Sequence, residues 1–294
     1  MRGAVGWLAL RFAFKKPGTF TGTGTFTGTG TFTGAIFLIA ALIFVAIFAD
    51  FISPFAPSTM DGSYILSPPS FASRHYLGTD ALGRDVASRL IFGTRAVLFV
   101  TLVAVTLLSG IGIALGSIAG FFRGSVDAVV SRTIEAISAF PTIVLVVVVQ
   151  AIVPDPSIVT LLATIALTRW TEVAQLVRSE TLAASTKDYT LAARALGAPP
   201  WRIMWRHVLP NISAAGLVSA AFAIANTVLI LAQLDFLHLG LPNDTASWGG
   251  ILSGALENTA AWWLILAPGF AIFATVVAIN TVGDRLRQRI GRAI

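Results

Sequence analysis

The chain has little of the equipment that covalent or phosphoryl chemistry requires. Its lysines are Lys15, Lys16 and Lys187, its histidines His75, His207 and His238, and it has no cysteine. A site that hydrolyses a nucleotide wants a glycine-rich loop closed by a lysine that reaches the phosphates. None of the three lysines sits in a G-x-x-x-x-G-K-[ST] pattern, and neither H-E-x-x-H nor G-x-S-x-G occurs. Gly22-Thr23-Gly24 looks superficially like a dinucleotide loop, but no strand of a βαβ unit precedes it. Without cysteine there is no disulfide, thiolate metal site or sulfur nucleophile. The histidines lie far apart, so no His-rich metal site is expected, and a nickel-ligand role for the isolated His238 is disfavoured. The expectation is a chain with no catalytic residue, no metal and no cofactor of its own.

What must position the remaining polar groups is a membrane. Of 294 residues, 55% are apolar and 12% charged, against roughly 25% charged in an average soluble domain. A helix needs about 20 apolar residues to cross the hydrocarbon. Six runs qualify: one ending in 35–49, then about 96–120, 133–153, 157–176, 214–234 and 261–283. Arg2, Arg11, Lys15 and Lys16 precede the first run. Arg178, Lys187, Arg194, Arg202 and Arg206 dominate the loop between the fourth and fifth, and Arg285, Arg287, Arg289 and Arg292 follow the sixth. The loop between the fifth and sixth has Asp235, Asp244 and Glu257 with no Lys or Arg. Basic residues stay on the cytoplasmic side. The pattern therefore predicts an all-α membrane protein with six transmembrane helices and both termini cytoplasmic. The net charge of +6 then reflects topology, and no nucleic-acid partner is implied. A cleaved signal peptide is the rival reading of the N-terminus; the first apolar run begins only at Ala35, with no small-x-small cleavage site leading into a soluble domain.

From Gly18 to Gly34 the chain repeats Thr-Phe-Thr-Gly-Thr-Gly. A lone strand cannot satisfy its backbone in lipid, so the repeat is expected to lend its last turns to the first helix. The rest would be a cytoplasmic lead-in, giving domains of 1–34 and 35–294. Gly18/Gly22, Gly24/Gly28 and Gly30/Gly34 have the small-xxx-small spacing that permits close helix packing. Within the spans, Arg132/Glu135 and Arg169/Glu172 are spaced to pair on one helix face. Such residues serve as a structural ion pair, a polar channel wall or a proton relay. The middles of the second and fifth spans are free of charge, which argues against a charge-driven pump.

The loop from Asp188 to Asn211 is the most informative stretch, with a coupling segment at about 186–210. Asp188 can cap a short helix, Gly197 suits a left-handed stop, and Pro199-Pro200 suits the start of a second helix. Pro210 is expected to separate the loop from the fifth span. Ala192 and Ala193 beside Gly197 offer a surface of little bulk into which another protein could dock; a plain connector is the alternative. This stretch resembles the EAA loop of membrane subunits of bacterial ABC importers. Ala192, Ala193, Gly197, Ile203, Leu209 and Pro210 match that pattern, and Leu191 stands where the family has Glu.

Two further segments narrow the resemblance. His75-Tyr-Leu-Gly-Thr-Asp-Ala-Leu-Gly-Arg-Asp85 and the residues on to Arg95 are similar to the segment before the second span in the dipeptide/oligopeptide/nickel permease subfamily. Leu234-Asp-Phe-Leu-His-Leu-Gly240, followed by Ser247-Trp-Gly, is similar to its LSFLGLG…SWG loop, and Phe121-Phe-Arg-Gly and Phe140-Pro141 fit too. Among paired permeases the chain is most similar to the C type of dipeptide systems. The resemblance implies the type I permease fold of ABC importers in a bacterial cytoplasmic (inner) membrane, with di- or oligopeptides, nickel or another small solute as cargo. It implies as partners a second homologous permease, two cytoplasmic ATPase subunits that bind ATP and magnesium, and an external solute-binding protein. ATPase coupling would then fall to Asp188, Leu191, Ala192, Ala193, Arg194, Gly197 and Pro210. On the outer face, a helix starting at Thr79 or Asp80 would carry Arg84, Asp85 and Arg89 on its polar side. Asp80, Arg84, Asp85 and Trp248 are the expected partner contacts there. A secondary transporter or channel without ATPases is the reading from another class, and would need Arg169 and Glu172 to act in transport.

Overall fold

The structure, a computed structural model, describes residues 29–153, 157–242 and 244–291. Helix α1 (Thr29–Ile47) is followed by the short α2 (Ala49–Ile52) and an extended segment with one 3-10 turn at Gly62–Tyr64. Next come α3 (Val86–Phe122), α4 (Gly124–Ser138), α5 (Thr142–Ile152) and α6 (Ile158–Ala184). A hairpin of α7 (Asp188–Ala195) and α8 (Pro200–Ile203) leads through a π-helical turn at Met204–Val208 into α9 (Leu209–Phe236). The short α10 (Trp248–Glu257) and the long α11 (Trp263–Gly291) complete the chain. Among the described residues no strand forms, and one isolated bridge pairs Thr79 with Asp85.

Four helical stretches have the length and apolarity to cross a bilayer: 30–47, 86–122, 200–236 and 263–289. The third expected span, 133–153, is not one helix. It is broken between α4 and α5, which meet at 82°. Pro141 causes the break, because it has no amide to donate and disfavours helical backbone at Phe140 before it. Counted as one span, the bent pair is a fifth. Helix α6 covers the fourth expected run and extends it to Ala184, but Arg169, Glu172, Arg178 and Glu180 make it too polar for the same criterion. The second and fifth runs are also longer than expected, since α3 starts ten residues before Ala96 and the fifth continues back through the π turn.

Residues 29–34 of the repeat are helical and continuous with 35–47, so the boundary at 34/35 falls inside α1. The repeat from Gly18 to residue 28 lies outside the described residues. Gly30 and Gly34 contact nothing where a Cβ would stand, so their spacing does not serve close packing within this chain. That device sits instead in α3. A Cβ on Gly112 would lie 2.9 Å from the Trp170 carbonyl oxygen, one on Gly116 2.6 Å from that of Ala174, and one on Gly120 2.6 Å from that of Arg178. Three glycines at intervals of four thus let the backbone of α3 rest on that of α6, and these two helices make the most extensive contact in the molecule.

Around that seam Val97, Val100, Leu108, Leu161, Ile165, Val173 and Leu231 form the buried core. Phe37, Phe99, Leu102, Phe270 and Phe273 point outward and are exposed, as side chains facing lipid must be. The start of α1 and the end of α11 lie together, with the guanidinium groups of Arg285 and Arg289 5.7 and 6.0 Å from the ring centre of Phe32.

Replacing Gly116 with Val should drive the Ala174 carbonyl away and lower stability by about 1–3 kcal/mol. Thermal unfolding in mild detergent measures it, with Gly110→Ala as control: Gly110, on the same helix, faces open space and should unfold as wild type.

Candidate functional site

The α7–α8 hairpin is fastened on one side and bare on the other. Thr190 is fully buried and donates from Oγ1 to the Ala184 carbonyl at 2.9 Å. Ala193 is buried beside it. Helix α7 ends in a two-bond stop, Ala198 N to Ala193 O at 3.1 Å and Gly197 N to Arg194 O at 2.9 Å, with Gly197 at φ +76. That left-handed backbone suits glycine. Pro200 then opens α8 at its first turn, where its missing amide is harmless.

The end of α3 grips the hairpin. The guanidinium of Arg194 lies 5.6 Å from the ring centre of Phe121, and the rings of Trp201 and Phe122 are 5.1 Å apart. Arg123 donates from Nη2 to Ser185 Oγ at 3.1 Å. Arg178 of α6 bonds Asp127 of α4 in a two-point ion pair, with Nη2 to Oδ2 at 2.7 Å. On the bare side Leu191, Leu196 and Trp205 are exposed, Leu196 at 88%, and the edge of Trp201 away from Phe122 is open too.

The expected coupling residues divide accordingly. Asp188, Leu191, Ala192, Arg194 and Gly197 are exposed, while Ala193 faces the interior. Ala192 and Ala193 therefore do not form one docking surface; adjacent residues on a helix point about 100° apart. Pro210 is exposed but does not end the hairpin. The π-helical turn widens the backbone just ahead of it, with Leu209 N bonding Met204 O. A proline ring clashes with a carbonyl one turn back, and a π turn relieves such a clash. Asn211 Nδ2 donates to the His207 carbonyl at 2.5 Å. Hairpin and fifth span are thus one continuous body. Phe121 and Phe122 enter the sequence reading only through the Phe-Phe-Arg-Gly resemblance, not as hairpin contacts, and Thr190 and Trp201 carry no role there; Trp201, a large apolar residue beside a basic loop, is the one of these two with a signal.

At the opposite end of the bundle the expected surface helix at Thr79 or Asp80 is absent. The helix begins at Val86, capped by Asp85, whose Oδ2 accepts from Ser88 N and Oγ at 2.7 Å. Asp85 Oδ1 also binds His75 Nδ1 at 2.9 Å. Asp80 accepts from the amides of Leu82 and Arg84 at 2.9 Å and from Arg84 Nε at 2.7 Å. With its carboxylate so occupied, Asp80 holds a turn rather than opening a helix. Trp248 is fully buried, and its Nε1 donates to the Leu90 carbonyl at 3.2 Å. Of the four residues expected to touch a partner, Asp80, Asp85 and Trp248 are interior and build this cap. Arg84 is half-buried.

Arg169 and Glu172 do pair, Nη2 to both carboxylate oxygens at 2.8 and 2.7 Å, with Arg169 buried. Glu172 lines a groove of about 450 Å³ between α6, α9 and α11, along with Glu180, Asn226 and Arg287. Arg132 and Glu135 form an exposed pair on α4 at 2.8 Å. Among the described residues no cluster of three metal-binding side chains occurs.

Residues 112–294 match the family model described as binding-protein-dependent transport system inner membrane component. The chain is 35% identical over 252 residues to the di/tripeptide transport system permease protein DppC of Pseudomonas aeruginosa, covering 84% of this chain and 83% of that protein. It is 35% identical over 256 residues to the dipeptide transport system permease protein DppC of Haemophilus influenzae, covering 85% and 86%. To the oligopeptide transport system permease protein OppC of Bacillus subtilis it is 32% identical over 252 residues, covering 85% and 82%. The protein is therefore a membrane-embedded component of a transport system. It belongs to the inner-membrane permease family of binding-protein-dependent transporters, with the all-helical type I permease fold.

Gly197→Val places a β-branched side chain at positive φ and should loosen the hairpin by about 1–2 kcal/mol. Limited proteolysis of membrane vesicles would read this as faster cleavage near residues 196–200, with Gly197→Asn remaining close to wild type.

Proposed function

We propose that this chain is one of two homologous permease subunits of an ATP-driven importer for short peptides, and that its α7–α8 hairpin is the contact through which separate ATPase subunits move it. The observation that carries this reading is the two-sidedness of the hairpin. Its inner face is tied to the ends of α3 and α6, and its outer face presents Leu191 and Leu196, with Trp205 just beyond α8, to solvent. Exposed apolar patches of this kind mark contacts with other proteins. The peptide cargo follows the names of the relatives, each a di/tripeptide, dipeptide or oligopeptide system.

In this arrangement the bent pair α4–α5 and the polar α6 count as spans, making six. The hairpin, the start of α1 and the end of α11 share the basic end of the bundle. The positive-inside rule then places both termini, and the lead-in before α1, in the cytoplasm. ATP and magnesium are bound by the ATPase subunits and not by this chain. An external solute-binding protein delivers cargo at the opposite end. Closure of the ATPases on nucleotide pushes the hairpin. Because the hairpin continues into α9 and is clamped to α3, the push reorients whole helices and exchanges outward- and inward-open states. Nucleotide shifts that balance only by its differential affinity for the two states.

Uptake of radiolabelled Ala-Ala by intact cells tests the reading. Deleting the chain should abolish uptake. Leu196→Glu, which puts a charge into the apolar contact, should reduce it about ten-fold or more at unchanged membrane abundance. Uptake that survives both Leu196→Glu and depletion of ATP would favour an ATPase-independent transporter, and Arg169 and Glu172 would become the residues to replace.

A further inference from the structure

One face of α9 is polar across the whole width of the membrane. Asn211, Ser219, Asn226 and Gln233 follow one another at intervals of eight, seven and seven residues. At about 100° per residue, all four fall within roughly 80° of arc around the helix axis. From the first to the last they cover about 33 Å of helix, which matches the thickness of the hydrocarbon core. Asn211, Asn226 and Gln233 are exposed and Ser219 is half-buried. Neighbouring helices leave this face open. Its inner part floors the groove of about 450 Å³ between α6 and α11, and Gln233 belongs to a second groove of about 560 Å³ beside α5, α10 and α11.

Charge restricts what can fill this trough. Glu172 stands next to the midpoint of α6 (Ile158–Ala184) and lines the same groove as Asn226. Its side chain is 54% exposed although both oxygens accept from Arg169 Nη2. A carboxylate has about four lone-pair sites, so the outer edge of Glu172 is still an acceptor. Acyl chains cannot satisfy an open carboxylate and open amides at this depth, since ionisable groups within a membrane face water or protein. A second helix seated permanently on the face would strip water from that edge, and an unpaired buried charge is costly. Water and a small polar solute meet the demand without that cost.

We propose that this face of α9, with Glu172 of α6 beside it, is the wall along which cargo passes, and that it holds a short peptide by its backbone. Glu172 and the side-chain oxygens of Asn226 and Gln233 accept from the peptide's ammonium and N–H groups. The amide nitrogens of Asn226 and Gln233 donate to its carbonyl and carboxylate oxygens. Each amide side chain carries donors and an acceptor, and every short peptide presents the complementary groups whatever its side chains are. Besides Glu172, which Arg169 neutralises, the only charges lining the two grooves are Glu180 and Arg287, toward the ends of α6 and α11 that share the basic end of the bundle. A peptide is thus held by neutral bonds that it can exchange for those of the next polar residue, about 10 Å along the helix. The assignment rests on the peptide-importer reading and deepens it, naming the side chains that carry cargo and the groups of the cargo they hold.

The chain has no cysteine, so single cysteines test the wall. Cells carrying Asn226→Cys are treated with 2-aminoethyl methanethiosulfonate, which reacts with thiolates and hence with thiols that water reaches. Uptake of radiolabelled Ala-Ala is measured before treatment, after it, and after dithiothreitol removes the adduct. The unsubstituted chain reports the effect of the reagent on other subunits. Leu217→Cys, on the opposite face of α9, and Phe270→Cys on α11 replace exposed apolar residues and serve as lipid-facing controls. Labelled Asn226→Cys should fall to the uptake of cells lacking the chain and recover with dithiothreitol, while both controls stay unlabelled and active. Ser219→Cys and Gln233→Cys repeat the measurement, so that one variant inactive from the start does not decide it. Asn226→Leu, close in volume but without hydrogen bonds, should slow saturated uptake more than Asn226→Gln, which keeps the amide; equal rates would overturn the hold on the peptide backbone. Thiols at all three positions that stay free after treatment would place the face against lipid or the second permease and overturn the proposal. A labelled chain that still transports would overturn it equally. The two readings fail separately: ATP-dependent uptake that no label blocks overturns the wall alone, whereas uptake that the label blocks but that persists without ATP overturns the importer reading and sustains the wall.

Discussion

Contact between the backbones of α3 and α6 is the constraint on which the rest of this molecule depends. In lipid there is no hydrophobic drive between helices, and association relies on close packing and hydrogen bonds. Gly112, Gly116 and Gly120 supply the first by removing every Cβ that would hold the helices apart over about 12 Å of α3. Helix α6 brings Arg169, Glu172, Arg178 and Glu180 into a largely apolar assembly. Two of its arginines are neutralised where they stand, Arg169 by Glu172 and Arg178 by Asp127.

That seam also decides how a force applied at one end is transmitted. Helix α3 runs unbroken for 37 residues, about 55 Å, from its cap at Asp85 to Phe121 and Phe122 against the hairpin. Helix α6 ends at the hairpin, and α9 continues from it. In the proposed coupling, a displacement of α7–α8 would reach the opposite cap through α3 and α6, whose backbones the glycines hold together. The π turn at Met204–Val208 is the irregular element on this route, where Pro210 prevents a regular ladder.

The all-helical membrane class, the basic ends and the hairpin were legible in the sequence because each follows from local rules. Long apolar runs reveal helices, loop arginines reveal sidedness, and Gly197 with Pro199-Pro200 reveals a stop and a restart. Local rules mislead where tertiary contacts decide. Pro141 lies within an apolar run long enough for one straight span yet bends it by 82°, and Pro210 has the look of a break although a π turn absorbs it. Asp80, Asp85 and Trp248 look like surface residues beside a membrane, yet each is occupied within the chain, because the segment ahead of α3 folds back on that helix's first turn. The glycines of α3 carry the same spacing as those of the terminal repeat; what distinguishes them is α6 lying opposite, which spacing does not disclose.

The absence of cysteine in the chain permits a direct test of the proposed coupling. A single cysteine at Leu196, 88% exposed at the tip of the hairpin, would be labelled with a maleimide carrying a photoactivated benzophenone, which inserts into C–H bonds of whatever it touches, in native membranes, with Tyr76→Cys at the opposite cap as control. The account predicts an adduct between Leu196→Cys and a subunit bearing a P-loop, whose yield changes with nucleotide, and no such adduct from Tyr76→Cys. A labelled Leu196→Cys that yields no ATPase adduct, or an adduct with the same ATPase from both positions, would contradict it.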